Sequence, residues 1–293
     1  MLDFRIYTFL SVCKNMNFTA AAEELHITQP AVSQHIQYLE KHYGAPLFER
    51  NGKKIILTPA GEMLLNAMTV IRNDESTVKK RMQDADKKKK VLNIGVTMTI
   101  GEFVIEKPLA KYLKNHPETD INIRFANTAS LCGELLQGSL DLALVEGNFD
   151  FKLFDMLVMK NEKYIPVCHI SHRFDKEPKR IHDLLPQRLI VREKGSGTRD
   201  ILEKSLSVKN ISISDFDHYV QADNTQLIVN LLKEDCGISF LYKAAVEKEI
   251  QSGVLKEIEL KDFSMEHNFT FIWNKGSVFS QEYKNICLEL KEQ

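Results

Sequence analysis

The sequence predicts a mixed α/β protein with a small helical N-terminal domain, one long connecting helix and a larger C-terminal α/β domain. Three patterns carry this prediction. Apolar residues recur at helical spacing over the first forty residues. After residue 60, mostly apolar residues are spaced alternately four and three positions apart, as in a coiled coil. From residue 91 strand and helix patterns alternate. They include a strand over 91–96, a helix from Gly101 to Asn115, a strand from Tyr164 to Cys168 and a segment from Thr225 to Lys233. At 293 residues the chain can hold two or three units with separate cores.

The composition is typical of a soluble globular protein, with 43% hydrophobic and 27% charged residues and a net charge of -1. No apolar run approaches the roughly 18 residues that span a bilayer. Asp3, Arg5 and Lys14 interrupt the only apolar N-terminal stretch, so we expect no signal peptide, no membrane partner and a cytoplasmic protein. The five scattered cysteines form no C-x-x-C pair, so no disulfide framework is expected.

Two short helices are predicted at the start of the chain. The first has Asp3 as its N-cap and an apolar face at i, i+3, i+4 and i+7, formed by Ile6, Phe9, Leu10 and Cys13. The second begins after Asn17, where Thr19 and Glu23 have nearly the spacing of a capping box.

A third helix is predicted over 28–40, with Thr28 as N-cap and Pro30 in the first turn. Its inner face is formed by Val32, Ile36 and Leu39. Its outer face carries uncharged side chains that can hydrogen-bond to base edges in a major groove, namely Gln29, Ser33, Gln34 and Gln37. No Asp or Glu lies between Glu24 and Glu40, as a surface facing phosphates requires.

A hairpin is predicted next, because Asn51-Gly52 is a strong turn signal between two short strand patterns. This wing carries Arg50, Lys53 and Lys54, which could neutralise DNA phosphates without reading sequence. On pattern alone, three helices and a hairpin could also be an inert structural bundle.

Five segments resemble LysR-type transcriptional regulators: Asn17–Ala22, Leu25–Ser33, Leu39-Glu40, Pro46–Arg50 and Leu57–Gly61. The resemblance implies a winged helix-turn-helix domain over residues 1–58, a linker and dimerisation helix with a hinge over 59–90, and an effector-binding domain over 91–293. That domain would be periplasmic-binding-protein-like, with lobe I at about 91–161 plus 265–293 and lobe II at about 162–264. The implied partners are double-stranded DNA, a small-molecule effector, further copies of the chain in a dimer or tetramer, and RNA polymerase. The DNA-binding residues would include Thr28 and Pro30 beside those named above.

The connecting helix is predicted to start at Thr58-Pro59. Its seam, which would pair two chains, consists of Leu64, Met68, Ile71, Glu75, Val78 and Met82. The run Lys87–Lys90 either contacts phosphate or forms a solvated hinge, and the hinge is favoured.

Three loops of the C-terminal domain follow strands and begin helices, where unpaired N–H groups favour ligands. Their hydroxyls make the predicted effector site and would suit a small anion: Thr97, Thr99, Thr128, Ser130, Ser196 and Thr198. The alternative is that the threonines are ordinary N-caps. The resemblance carries over Thr97 and Thr99 from the loop after the first strand. The tract Gly195–Arg199 is similar to that of members that respond to small sulfur-related anions.

Other function classes are less well supported. No catalytic motif is visible, so we expect no enzyme activity, no cofactor and no metal. Cys168, His169 and His172 could ligate a metal but are more often structural. A redox switch through Cys132, Cys168 or Cys236 stays open. A solute-binding protein would explain residues 91–293 but not 1–60.

Overall fold

The computed structural model describes residues 2–52, 54–84 and 90–291. The chain divides into two compact units. The first comprises Met1–Lys87, Leu136–Gly138 and Asn274–Phe279, and the second comprises Lys88–Leu135, Ser139–Trp273 and Ser280–Gln293. These bounds differ from the three predicted segments, because the long helix is grouped with the N-terminal helices.

The first unit contains the predicted three helices, hairpin and long helix. They are α1 (Phe4–Asn15), α2 (Phe18–Glu24), α3 (Gln29–Tyr43), β1 (Phe48–Asn51), β2 (Lys54–Leu57) and α4 (Pro59–Asp84). Asp3 and Thr28 are the N-caps of α1 and α3, as predicted. The core that they enclose includes Phe9, Val12, Ala21, Val32 and Leu47, each at most 1% exposed. Burying an apolar side chain of Val size or larger contributes about 1.5–3 kcal/mol.

Two local details of the first unit differ from the predictions. The capping box at Thr19 and Glu23 is wrong: Asn17 caps α2, and its Oδ1 accepts hydrogen bonds from the backbone N–H groups of Thr19 and Ala20. The hairpin turn lies one residue later than predicted, because Asn51 still pairs with Lys54 and Gly52 is the residue with a positive φ of 63°. Glycine adopts that conformation without the strain that a Cβ would cause.

The second unit is a twisted sheet flanked by helices. Its strands are β3 (Lys90–Val96), β4 (Thr119–Phe125), β5 (Leu142–Val145), β6 (Phe154–His169), β7 (Arg188–Arg192), β8 (His218–Ala222), β9 (Ile238–Tyr242), β10 (Leu255–Glu257) and β11 (Met265–Asn274). Its helices are α5 (Met98–Phe103), α6 (Glu106–Asn115), α7 (Thr128–Leu136), α8 (Gly197–Ser207), α9 (Thr225–Lys233), α10 (Glu247–Gln251) and α11 (Ser280–Lys291).

The strand order is β4-β3-β5-β11-β6-β9-β7-β8, and β10 pairs with β6. Strand β3 runs parallel to β4 and β5, and β7 runs parallel to β8 and β9. We call the β4-β3-β5 group with α5, α6 and α7 the first half, and the β9-β7-β8 group with α8 and α9 the second half. Strands β11 and β6 lie between the halves, antiparallel to β5 and β9 respectively.

The alternating pattern predicted most of these elements, but it merged two helices and missed several other elements. The predicted helix from Gly101 to Asn115 is two helices, α5 and α6, because Pro108 lacks an N–H and lies in the first turn of α6. The first part of the long strand β6 was missed, and α10, β10 and β11 were not predicted. Among the described helices none is long and apolar enough to cross a membrane.

Within each half, the parallel strands end at a common edge of the sheet. In the first half this edge carries the residues that follow β3 and β5, including Thr97, Thr99 and Glu146. In the second half it carries Arg192 at the end of β7 and Tyr242 at the end of β9. These residues form the candidate site described next.

Candidate functional site

Glu146, immediately after β5, is the centre of a buried polar cluster. Its side chain is 1% exposed. Its Oε1 accepts hydrogen bonds from Thr99 Oγ1 at 3.0 Å and from Thr198 Oγ1 at 2.7 Å. Its backbone carbonyl accepts a hydrogen bond from the hydroxyl of Thr128. Three of the predicted effector residues, drawn from both halves of the sheet, therefore converge on one residue.

Burial gives this carboxyl an unusual proton affinity. Desolvation raises the pKa of Glu146 from 4.5 to about 7, against the opposing effects of the Thr198 hydroxyl, the Arg192 charge and the Thr99 hydroxyl. The second carboxylate oxygen, Oε2, makes no hydrogen bond within the described part of the chain. A buried carboxyl group whose pKa is shifted toward neutrality is typical of functional sites.

Two buried arginines of the second half lie around the cluster. Arg192 donates to both carboxylate oxygens of Glu193, at 2.8 and 3.0 Å, and to Thr225 Oγ1 at 2.8 Å. Arg199 donates to Glu203, at 2.7 Å, and to the Arg192 carbonyl oxygen, at 3.0 Å. Both guanidinium groups are thus engaged with other partners.

The backbones of the two halves approach closely beside Glu146. A Cβ placed on Gly197 would lie 2.4 Å from the carbonyl oxygen of Glu146, and one placed on Gly147 would lie 2.9 Å from the Cα of Gly197. Real Cβ atoms do not approach backbone atoms so closely, so glycine is required where α8 begins. The glycines of the 195–197 tract therefore bring the start of α8 to the carboxyl end of β5.

The other predicted effector residues have different surroundings. Thr97 occupies the N-cap position of α5, but its hydroxyl does not cap the helix and is buried without a hydrogen bond to described residues. Ser196 is 2% exposed at the N-cap position of α8, again without a side-chain cap. Ser130 is exposed, and only its backbone N–H is used, by Asn127 Oδ1. The N-cap alternative therefore does not describe Thr97, and the structure does not bring the Ser130 side chain to Glu146.

Sequence reasoning missed four residues of the cluster: Glu146, Arg192, Tyr164 and Tyr242. The Tyr164 hydroxyl donates to the carbonyl oxygen of Thr198 at 3.0 Å, and its ring lies 5.2 Å from that of Tyr242. One signal was available, because Glu146 is a carboxylate directly after a fully apolar strand and before a glycine. The tyrosines lie in apolar runs and had no such signal.

A cavity of about 510 Å³ lies elsewhere in the second unit, along β6 and residues 257–266. Its lining mixes lysines and glutamates with Tyr164 and Phe263. Tyr164 lines this cavity and also belongs to the cluster around Glu146, because its hydroxyl donates a hydrogen bond to the carbonyl oxygen of Thr198. The cavity is a second location at which a ligand could be sought.

The outer face of α3 in the first unit carries the predicted base-reading residues. Gln29, Gln34 and Gln37 are exposed and Ser33 is half-buried, whereas Val32, Ile36 and Leu39 are buried as predicted. Gln29 Nε2 donates to Ser33 Oγ at 2.8 Å, so these two side chains are held together one turn apart. Thr28 and Pro30 are exposed at the start of the helix.

Glu24 and Glu40 lie at the two ends of this stretch without acidic residues, and both carboxylates accept hydrogen bonds from other parts of the domain. Glu24 accepts from Lys14, Asn15 and Ser11, and these hydrogen bonds lower its pKa to about 2. Glu40 accepts from the backbone N–H of Leu47 at 2.9 Å. Of the wing cations, Arg50 and Lys54 are exposed, and Lys53 lies outside the described residues.

The remaining candidate residues belong to the metal and redox alternatives. Within residues 2–52, 54–84 and 90–291, no group of three or more His, Cys, Asp or Glu side chains could hold a metal. His172 hydrogen-bonds to Asp235 and Gln187. Burial raises the pKa of Cys132 to about 11 and that of Cys168 to about 12, which disfavours the reactive thiolate.

The long helix α4 exposes part of its predicted seam, and the lysine run that follows is mostly undescribed. Ile71 is 46%, Val78 42% and Met82 73% exposed, while Leu64 is buried in the core of the first unit. Residues 87–89 lie outside the described residues, and Lys90 forms an ion pair with Glu282 at 2.7 Å. An exposed apolar seam of this kind indicates a face that a second helix could cover.

Comparison with protein-family models decides the family. Residues 5–62 match the bacterial regulatory helix-turn-helix protein of the lysR family, and residues 85–292 match the LysR substrate binding domain. The chain belongs to the LysR family. It is a LysR-type DNA-binding transcriptional regulator with an N-terminal helix-turn-helix domain and a C-terminal effector-binding domain, which confirms the resemblance seen in the sequence. Regulators of this family bind DNA and small-molecule effectors and are oligomeric.

Individual LysR-type relatives are similar along nearly the whole chain. A probable RuBisCO transcriptional regulator of Gracilaria tenuistipitata var. liui is 26% identical over 285 residues, which cover 96% of this chain and 92% of that protein. The HTH-type transcriptional regulator CysL of Bacillus subtilis (strain 168) is 27% identical over 267 residues, covering 90% and 88%. Full-length LysG of Corynebacterium glutamicum, solved with bound effector Arg, has a TM-score of 0.65 at 13% identity and covers 99% and 98%, so it shares the fold.

Proposed function

We propose that this LysR-type regulator changes its DNA binding when a small molecule occupies the cluster around Glu146. The observation that carries the proposal is the convergence of Thr99, Thr128 and Thr198 on Glu146 from the two halves of the sheet. A ligand that contacts both halves would favour one arrangement of them, and a ligand shifts an equilibrium only by such differential contacts. Thr97 and Ser196 are further proposed contacts, and Ser130 is the least supported of the set.

For DNA binding we propose that α3 reads bases and the hairpin of β1 and β2 contacts phosphates. Uncharged donors and acceptors for the major groove would come from Gln29, Ser33, Gln34 and Gln37. Thr28 and Pro30, at the start of the helix, would lie close to the DNA backbone. Arg50, Lys53 and Lys54 would neutralise phosphates. The exposed seam of α4 would pair with that of a second copy, which matches a site made of two half-sites.

The DNA-binding part is tested with the full chain and a fluorescent duplex from the region upstream of its own gene. Gln29→Ala and Ser33→Ala should each reduce the affinity ratio between that duplex and a random one, by about 5- to 150-fold for a lost pair of base contacts. Gln281→Ala, on α11, is the matched control. Equal ratios for Gln29→Ala and wild type would remove this residue from base readout.

The effector part is tested by thermal-shift screening of small amines, amino acids, carboxylates, sulfate and phosphate. A compound that binds the folded chain raises its melting temperature. Thr99→Val and Thr198→Val should abolish both this shift and the compound's effect on DNA binding, because each removes a hydroxyl of the cluster. Ser207→Ala, at the far end of α8, should leave both responses intact. If both valine variants respond like wild type, the effector binds elsewhere, and the cavity along β6 becomes the next location to test.

A further inference from the structure

The most unusual feature of the proposed effector site is Oε2 of Glu146, a buried carboxylate oxygen without a hydrogen bond to any described residue. An ionised carboxylate has about four acceptor positions, and Oε1 alone takes both hydroxyl hydrogen bonds. Oε2 is buried and accepts nothing from the described residues. Leaving a buried charged acceptor unsatisfied costs at least as much as the desolvation of a neutral polar group. No residue in the described part of the chain supplies a hydrogen-bond donor to this oxygen.

Two more buried oxygens near Glu146 are unsatisfied in the same way. One is Oγ1 of Thr97, which follows β3 and whose backbone N–H donates to the carbonyl oxygen of Leu144, two residues before Glu146. The other is the hydroxyl of Tyr242, on which the Glu146 charge acts. Natural proteins satisfy the large majority of buried polar side-chain atoms. Three unsatisfied oxygens from three strand ends indicate a group that comes from outside the chain.

The charges around Glu146 indicate the sign of that group. The charged residues that act on Glu146 are Arg192 and Glu193, and these two form a bidentate ion pair with each other. Glu102, which also feels the Arg192 charge, is a second carboxyl with an unsatisfied buried oxygen. The aromatic hydroxyls of Tyr164 and Tyr242 are the other titratable groups that face the carboxylate, and burial raises the pKa of both well above 10. Arg199, the other buried arginine beside the cluster, pairs with Glu203. The carboxylates therefore outnumber the cations, with Glu102, Glu146, Glu193 and Glu203 against Arg192 and Arg199.

An anion in this place would lie next to the Glu146 carboxylate. Two like charges about 4 Å apart repel strongly at the effective dielectric of a protein site. An ammonium group has the opposite sign and three N–H donors, which matches one carboxylate oxygen and two hydroxyl oxygens. The hydroxyls taken alone suit a small anion, but the carboxylate among them does not.

We propose that the effector of this regulator carries a protonated amine, which donates hydrogen bonds to Glu146 Oε2 and to the hydroxyls of Thr97 and Tyr242. The proposal rests on the proposed function, since it assumes that the effector binds at this cluster. It specifies the chemical class of the ligand: an amine or amino acid, and not a sulfate, phosphate or simple carboxylate.

The test compares matched probes on the full chain at pH 8. Propylammonium, L-alanine and L-lysine are titrated against propionate, N-acetyl-L-alanine, sulfate and phosphate, with the melting temperature as readout. At least one ammonium probe should raise the melting temperature in a saturable way, and its acylated or carboxylate counterpart should not. Glu146→Gln should weaken the apparent affinity for that probe at least tenfold. Glu118→Gln, which removes an exposed carboxylate of the second unit, is the control.

A second measurement uses the wild-type chain alone and does not depend on how the variant folds. Protonation of Glu146 removes the charge that attracts the amine, so the affinity for the ammonium probe should fall between pH 8 and pH 6. The proposal is overturned if no ammonium probe raises the melting temperature, or if its affinity is equal at both pH values and in Glu146→Gln. If anions stabilise the wild type but not Thr99→Val, the proposal that the effector is an amine is overturned, while the proposed site is retained. Stabilising probes that act equally on Thr99→Val and Thr198→Val would overturn both.

Discussion

Thr198 Oγ1 lies 2.7 Å from Glu146 Oε1, and this hydrogen bond joins α8 in the second half of the sheet to the end of β5 in the first half. Thr99 donates to the same oxygen at 3.0 Å. One carboxylate oxygen thus links the loops at which a LysR-type regulator is proposed to sense its effector. Substitutions that alter the charge, the hydrogen bonds or the packing of this carboxylate should therefore alter the stability of the second unit and its response to ligand.

The first prediction concerns the pH dependence of stability. The pKa of Glu146 is raised from 4.5 to about 7 by burial, so between these values the folded chain binds more protons than the unfolded chain. The contribution of this group is therefore fully present below pH 4.5 and is lost as the pH rises through 7. The loss is on the order of 3 kcal/mol. Urea unfolding of wild type and Glu146→Gln at pH 5 and pH 8 measures it.

The comparison between these two proteins isolates Glu146 from every other titratable group of the chain. Glu146→Gln cannot ionise and should show a smaller loss of stability between pH 5 and pH 8 than the wild type. Glu118→Gln should behave like the wild type. Parallel pH profiles for wild type and Glu146→Gln would mean that the carboxyl titrates near its ordinary pKa.

The second prediction concerns the close approach at Gly197. A Cβ at this position would lie 2.4 Å from the Glu146 carbonyl oxygen, so Gly197→Ala must shift one backbone against the other. We expect the free energy of unfolding to fall by about 1–3 kcal/mol, the usual cost of overpacking. Gly133→Ala is the control, because a Cβ on Gly133 in α7 meets no atom within 4 Å and alanine favours the helix by up to about 1 kcal/mol. A neutral Gly197→Ala would show that the two loops can separate at little cost.

The sequence predicted the donors of the effector site better than its acceptor. Threonines after strands and before helices are visible as a pattern, and Thr99, Thr128 and Thr198 do meet. Glu146 was missed because a carboxylate after an apolar strand is read as the end of burial, whereas here it is 1% exposed. Only the pairing of β5 with β3, and the close approach of α8, place it inside.

Elements with strong local sequence signals were predicted correctly. Elements whose structure depends on pairing with distant strands of the sheet were missed. Helix α9 has the bounds of the segment predicted in the alternating pattern, Thr225 to Lys233, and Thr28 caps α3 as expected. Strand β6 was predicted only from Tyr164 onward, because the polar run Lys160–Lys163 separates its two apolar parts and the strand pairs with the distant β11. Long-range pairing of this kind leaves no short-range mark in the sequence.

The third prediction concerns the start of the proposed recognition helix. Thr28 Oγ1 accepts a hydrogen bond from the backbone N–H of Ala31 at 3.4 Å, as an N-cap does. Thr28→Ala should lower the free energy of unfolding by about 0.5–2 kcal/mol and weaken binding to the upstream duplex. Thr28→Ser keeps the hydroxyl and should retain both properties. If serine is as harmful as alanine, the methyl group of Thr28, and not its cap, is what matters.

The fourth prediction concerns the exposed cations of the wing, Arg50 and Lys54. Each phosphate that a cation neutralises releases a condensed counterion, so the logarithm of the binding constant falls with the logarithm of salt concentration by about 0.9 per contact. Arg50→Gln with Lys54→Gln should therefore reduce the magnitude of this slope by nearly two units. The loss should be similar for cognate and random duplexes, because phosphate contacts carry no base information. Lys284→Gln, an exposed cation on α11, should leave the slope unchanged. Fluorescence anisotropy titrations between 50 and 200 mM salt give the slopes, and a double variant with the wild-type slope would place this face of the hairpin away from the DNA.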